Sequence, residues 1–170
     1  PLRSVFGALT DDPAEIDRWI ATYREFNLAH HDQRVTAYPS TVDMVRRIRG
    51  AGCRVGLVTS KNHAGALRGL DLIGLRDAIE AVVGADDVTR PKPDPEPARL
   101  ALEALGVPAD GALFVGDSRH DMYCGRSAGT WTAGVTWGPF DRDHLAAAAP
   151  DYIVDTPAAL LTLVTAPAPA

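Results

Sequence analysis

The sequence predicts an α/β fold, a mainly parallel sheet covered on both faces by helices, and three observations carry that expectation. Short apolar runs with β-branched residues, such as 53–59 (CRVGLVT) and 112–115 (ALFV), read as buried parallel strands. Between them lie segments whose apolar residues recur at helical spacing, as in Ala98, Ala101, Leu102 and Leu105. The two kinds alternate along most of the chain, the pattern of βαβ units joined by right-handed crossovers. At 170 residues, with 46% hydrophobic and 23% charged residues, the chain suits one domain with a real core and leaves no room for a second full domain.

Taken in order, Thr10-Asp11-Asp12-Pro13 supplies a cap and a first-turn proline for a helix whose face is Ile16, Trp19, Ile20, Tyr23 and Phe26. A polar stretch, 29–39, then separates it from the next helix and places a boundary between residues 1–37 and a core spanning 38–164. A second helix begins near Ser40, turns Val42, Val45 and Ile48 inward, and ends at Gly50 and Gly52. The strand 53–59 follows, then a helix over 63–73 and a strand over 81–83. The helix containing Ala98 closes at Gly106; after it come a strand at 112–115, a helix at 121–128, and strands at 132–136 and 152–154. The Pro/Ala-rich tail 165–170 (TAPAPA) is expected to be disordered. Trp131 and Trp137 read as packing aromatics, and His30 and His31 as an exposed helix end.

Charge and cysteine usage narrow the function. A net charge of -5 and a pI near 5.4, with no basic stripe, argue against a nucleic-acid backbone binder. Cys53 and Cys124 belong to no CxxC or Cys/His cluster, which fits a reducing cytoplasm. No apolar run approaches the roughly 18 residues of a membrane span, and no secretory pattern opens the sequence. A cytoplasmic protein without membrane or nucleic-acid partners is expected.

Ligands of open α/β sheets bind beyond the carboxyl ends of the strands. Three such ends carry polar residues. Thr59-Ser60-Lys61-Asn62 places hydroxyls, an ammonium and an amide between a strand and a helix, a phosphate-sized anion site or simply a helix cap. In Arg90-Pro91-Lys92-Pro93-Asp94-Pro95 the prolines hold the backbone extended and fix the direction of Lys92, which otherwise would be a solvated loop lysine. The two lysines among 17 basic residues, Lys61 and Lys92, both follow strand ends, which suggests that a compact point charge is required there. Gly116-Asp117-Ser118-Arg119-His120-Asp121 sets two carboxylates four apart at a helix start, either a magnesium site with Asp117 as ligand and Asp121 in support, or a cap with a second acid near the helix dipole.

In this order and spacing, the hydroxyl after a strand, the lysine before a helix and GDxxxD resemble motifs II, III and IV of the haloacid dehalogenase superfamily. PLRSVF, YREFNLAHHD, VTSKN, GADDVTRPKPDPEP and GDSRHDM are similar to its phosphoglycolate phosphatase and pyrophosphatase branch. The resemblance covers nearly the whole chain and implies a three-layer Rossmann-like core with the remnant of a helical cap at residues 1–37. It implies that Thr59 and Lys92 act on the transferring phosphoryl group, that Ser60, Lys61 and Asn62 help bind substrate, and that Asp117 and Asp121 hold Mg2+. The substrate would be a small phosphorylated metabolite or pyrophosphate. The family's attacking aspartate lies in a DxDGT segment that this sequence does not contain, so the resemblance implies that about fifty residues carrying the central strand precede it. The isolated piece would then be unstable and inactive, with two strands left unpaired. Arg3, Tyr38 and the two histidines are further candidates for contact with the leaving group. Other functions to weigh are a non-catalytic phosphate- and metal-binding protein of this fold, or a haloacid dehalogenase or phosphonate hydrolase.

Overall fold

The computed structural model describes residues 2–166, apart from the side chain of Ser4. The chain forms two compact units, Pro1–Thr36 and Ala37–Ala170.

The first unit is a helical pair, α1 (Leu2–Phe6) and α2 (Pro13–Arg34). Asp12 caps α2 by accepting from the Ala14 N–H, and Pro13 follows at the first helical position, where its missing N–H costs nothing. Phe6 meets Trp19 edge to face at 5.7 Å, and Arg3 pairs with Asp17. The polar segment 29–34 continues α2 as helix. Its cause is a ladder on one face of the helix: the His30 ring stacks on Phe26 at 4.3 Å, and the Arg34 guanidinium lies 5.5 Å from the Phe26 ring. His31, expected at an exposed helix end, is buried at 6% exposure, with Nδ1 3.1 Å from the Asp32 carboxylate.

The second unit carries the α/β fold: α3 (Thr41–Gly50), β1 (Gly56–Val58), α4 (His63–Leu72), β2 (Ala81–Val83), α5 (Glu96–Leu105), β3 (Leu113–Gly116), α6 (Arg119–Ala128), β4 (Trp131–Val135), α7 (Arg142–Ala146), β5 (Tyr152–Val154) and α8 (Pro157–Thr165). All strand pairs are parallel, and the described strands form two sheets, β1-β2 and β3-β4-β5. No ladder joins β1 to β3 among the described residues. The strand expected at 53–59 is shortened to Gly56–Val58 because it pairs on one side only, with a three-residue partner. Thr59 extends the contact by one bond, its N–H donating to the Val83 carbonyl at 2.9 Å.

Helices bind the two sheets into layers. On one face, Met44 of α3 packs with Ala133, Val135 and Val154 of the larger sheet and with Leu160 and Leu161 of α8. Val42 and Val45, also on α3, pack on the cluster of Leu70, Leu75 and Ala78 beside the smaller sheet. Elsewhere α5 packs on β1, β2 and α6, and α6 on β3 and β4. Burial within the sheets follows the open edges. In β4 four residues of five are buried and in β2 two of three, whereas β1 and β3 have none, and Val115 in β3 is 39% exposed. A parallel strand covered on both faces is normally buried along its length.

Sequence reading missed the short helices α1 and α7, and also α8, whose start is marked by the Thr156 cap on Ala159. Trp137 packs against the Met44 cluster as expected, but Trp131 is 52% exposed, at the amino end of β4 beside Tyr152. Of the tail expected to be disordered, Thr165 closes α8 and residues 167–170 lie outside the described residues. Cys53 and Cys124 are both free. Among the described residues no helix is long and apolar enough to cross a membrane.

Candidate active site

The polar residues singled out in the sequence follow the carboxyl ends of β1 and β3 and the loop before α5. Lys92 links them. Its ammonium donates to Asp121 Oδ1 at 2.7 Å and to the Val58 carbonyl, the last residue of β1, at 3.4 Å. The two charged side chains are 15% and 8% exposed, so the pair is largely withdrawn from water.

Asp121 is fixed from its other side. Its Oδ2 accepts from the Ser118 N–H at 3.0 Å and from the Ser118 hydroxyl at 2.6 Å, forming a capping box at the start of α6. Gly116 makes this approach possible, since a Cβ there would lie 2.2 Å from Asp121 Cβ. Asp121 thus serves first as the anchor of Lys92 and of the α6 start.

Asp117 is half-buried beside this pair. Burial first, then the like charge of Asp121, push its carboxyl above the ordinary value, while Lys92 pulls the other way without cancelling them. The loop after β4 lies against it: a Cβ on Gly138 would fall 2.3 Å from Asp117 Cβ.

The first strand end is more open. The Thr59 hydroxyl accepts from the Lys61 N–H at 3.2 Å, a tight local turn. Ser60, Lys61 and Asn62 are exposed, and Asn62 caps α4 by accepting from the Gly65 N–H at 3.0 Å. Lys92, Asp117 and Asp121 are therefore brought together, with Thr59 next to the carbonyl that Lys92 touches. Lys61 and Asn62 are held at the rim of the first strand end by backbone and cap contacts.

Sequence reading missed the residues that hold this frame. Glu96 accepts from the Thr89 N–H at 2.8 Å, the Thr89 hydroxyl at 3.0 Å and the Arg90 N–H at 2.9 Å, tying the Lys92 loop to the first turn of α5. Asp94 accepts from the Glu96 N–H at 2.9 Å. Asp86 and Asp87 do the same for α4, accepting from the His63 N–H and from the His63 ring at 2.6 Å each. The signal was present in Asp94-Pro95-Glu96, an acid in the first turn of a helix beside a proline.

Of the other candidates, Arg3 is engaged with Asp17 and Tyr38 is 51% exposed.

Among the described residues no group of three or more His, Cys, Asp and Glu side chains is arranged as a complete metal cage. Magnesium needs no such cage, since one or two carboxylates with substrate phosphate and water suffice. Asp117 fits it: a hard oxygen donor whose charged form is disfavoured by burial and by a neighbouring carboxylate, which a divalent cation would relieve.

A parallel α/β unit whose polar residues gather beyond the carboxyl ends of its strands belongs to the class of folds that bind ligands at that edge of the sheet. Within that class the chain belongs to the haloacid dehalogenase-like hydrolases, whose family model matches residues 1–135. It is 40% identical over 164 residues to "Pyrophosphatase PpaX" of Anoxybacillus flavithermus, covering 96% of this chain and 75% of that protein. To the protein of the same name from Listeria monocytogenes it is 36% identical over 153 residues, covering 90% and 70%. Among solved structures, a haloacid dehalogenase-like hydrolase proposed in Bacteroides fragilis matches with a TM-score of 0.84 at 27% identity, over 91% of this chain and 75% of that one. A proposed phosphoglycolate phosphatase from Lactobacillus plantarum matches with a TM-score of 0.82 at 26% identity, over 96% and 77%.

Proposed function

We propose that this protein is a magnesium-dependent phosphatase acting on a small phosphate ester or on pyrophosphate. The observation that carries the reading is the Lys92–Asp121 pair, 2.7 Å long and largely buried, set between the end of β1 and Asp117. A buried ammonium at that place offsets charge on the equatorial oxygens of a phosphoryl group in transfer. The Thr59 hydroxyl donates to one of those oxygens, with Ser60, Lys61 and Asn62 at the outer edge of the same strand end. Asp117 holds Mg2+, with Asp121 keeping its side of the site in place. Magnesium, when bound, offsets further negative charge on the phosphoryl oxygens.

The attacking group in this reading is an aspartate on a strand that lies between β1 and β3 and belongs to a segment preceding these 170 residues. Attack forms an aspartyl-phosphate and releases the leaving group; water then cleaves the acyl-phosphate and restores the carboxylate. The open edges of β1 and β3, and the shallow burial of both strands, support such a neighbour. Residues 1–37 are read as part of a helical cap. The relatives called pyrophosphatase support pyrophosphate as substrate, and the structural neighbours called phosphoglycolate phosphatase support a phosphate monoester.

The test is initial rates with Mg2+ on pyrophosphate and phosphoglycolate, for this chain and for a version extended upstream through its native reading frame. Turnover by the extended form alone is expected. Turnover by neither would sink the phosphatase reading in favour of a phosphate- and metal-binding protein, and turnover by the short chain would remove the upstream nucleophile.

A further inference from the structure

One cation close in sequence to Asp117 has no role in the chemistry above. Arg119 opens α6, two residues after Asp117, and it is exposed yet held in place. Its Nε donates to His144 Nε2 at 3.2 Å. The His144 ring is stacked on Phe140, with centroids 4.1 Å apart and planes 11° from parallel. The His144 N–H donates to Asp141 at 2.8 Å, which caps α7 and fixes the start of the helix carrying that ring. The segment between β4 and α7 also carries Gly138, whose backbone lies against Asp117. Arg119 and His144 therefore meet from two independent elements, α6, which starts two residues after Asp117, and the β4–α7 connection, whose Gly138 lies against Asp117.

The guanidinium is positioned without being neutralised. Among the described residues no carboxylate lies within ion-pair distance of Arg119, whereas Arg142 on the neighbouring helix pairs with Asp155 at 2.5 Å. With Nε donated to the histidine, the two terminal NH2 groups make no ion pair among the described residues. That is the donor arrangement arginine uses to bind an oxyanion, and a flexible ammonium cannot reproduce it. Lys92 gives two of its three N–H groups to Asp121 and the Val58 carbonyl, and the third is the one proposed for the transferring phosphoryl group, so none remains for a second anion.

Building on the proposed phosphatase reading, we propose that Arg119, positioned by His144, binds a second oxyanion carried by the leaving group. It thereby selects substrates whose leaving group is itself charged. Both a distal phosphoryl group and a carboxylate supply that chemistry. Selection would then rest partly on the α/β unit.

The experiment is calorimetric titration, with Mg2+ present, of the native reading frame and of its Arg119→Gln, Arg119→Lys and His144→Ala variants. The probes are methylenediphosphonate, phosphonoacetate and methylphosphonate, so that neither binding nor readout depends on turnover. Arg119→Gln is expected to weaken one or both two-anion probes about tenfold, while methylphosphonate moves less than about twofold. Loss confined to methylenediphosphonate assigns the distal phosphoryl; loss confined to phosphonoacetate assigns the carboxylate. His144→Ala should shift the same probe in the same direction by a smaller factor, and Arg119→Lys should restore only part of the affinity. Equal weakening of all three probes, or of none, overturns the proposal. Selective weakening in a protein that turns over no phosphate ester would keep this inference and overturn the phosphatase reading, so the two failures are distinguishable.

Discussion

Replacing Lys92 with methionine removes one charge and keeps the apolar stem, so it isolates the ammonium. That ammonium faces a carboxylate 8% exposed at 2.7 Å, with Asp117 close enough for its own ionisation to feel both charges. Breaking a buried pair from one side costs about 3–5 kcal/mol when the remaining charge is left without partners. Asp121 keeps two donors, the Ser118 N–H and hydroxyl, so the expected loss is lower, about 2–3 kcal/mol. For a domain of this size that corresponds to a fall of about 4–12 °C in Tm. Adding Asp121→Asn should recover part of the loss, giving a coupling of at least about 1 kcal/mol in the double-mutant cycle. The assay is thermal or urea unfolding of the four proteins in the cycle, followed by turnover in the native reading frame. There Lys92→Met should lower kcat by about a hundredfold or more, as expected for removal of a charge aimed at the transition state. A coupling near zero would show that the pair is not a structural link between the strand ends. Near-native turnover would remove Lys92 from the chemistry.

Other consequences are equally direct. Asp117→Asn should abolish the magnesium dependence of turnover, and an unchanged magnesium titration would place the metal elsewhere. Gly116→Ala would drive a Cβ to 2.2 Å from Asp121 Cβ, so α6 must shift or the capping box must open; a loss of at least about 2 kcal/mol is expected in urea unfolding, and a neutral variant would refute the close packing. Thr132→Val removes the buried hydroxyl that donates to Asp151 at 2.7 Å and should cost about 1 kcal/mol, measured by the same unfolding. The Glu96 carboxyl is held below its ordinary value near 4.5, chiefly by the Thr89 N–H, with the Thr89 hydroxyl and Arg90 adding to it against desolvation. A depressed folded pKa means that this stabilisation is present above the unfolded value and is lost as pH falls through the folded one. The Tm gap between native protein and Glu96→Gln should therefore narrow in the acid range below that value, and a gap constant with pH would refute the loop clamp.

Sequence made the alternation of strands and helices legible because side-chain periodicity is local. The strand at 81–83 and the helix ending at Gly106 came out as read for that reason. It also placed Lys92 and Asp121 at strand ends, but not in contact, since their hydrogen bond joins residues 29 apart through a loop and a helix cap. The capping box shows the limit clearly. GDSRHD suggests Asp117 as ligand with Asp121 in support, but it does not show that Asp121 is drawn into Ser118 and Lys92 while Asp117 is left half-buried beside it, its carboxyl pushed up by burial. The capping box relies on the backbone closeness of Gly116 to Asp121, and a glycine in a sequence does not say what it approaches. The pairing of strands was similarly out of reach, because hydrogen-bond partners in a parallel sheet are separated by whole crossovers. Lys92 touches the end of β1 and the start of α6 while, among the described residues, no ladder joins β1 to β3. The lysine therefore holds together the two sheet edges between which the chemistry is proposed to occur. On the proposed function, the group that would stabilise transferred charge and the group that links the end of β1 to Asp121 are the same side chain, which is why the stability and turnover of the Lys92 variants must be measured separately.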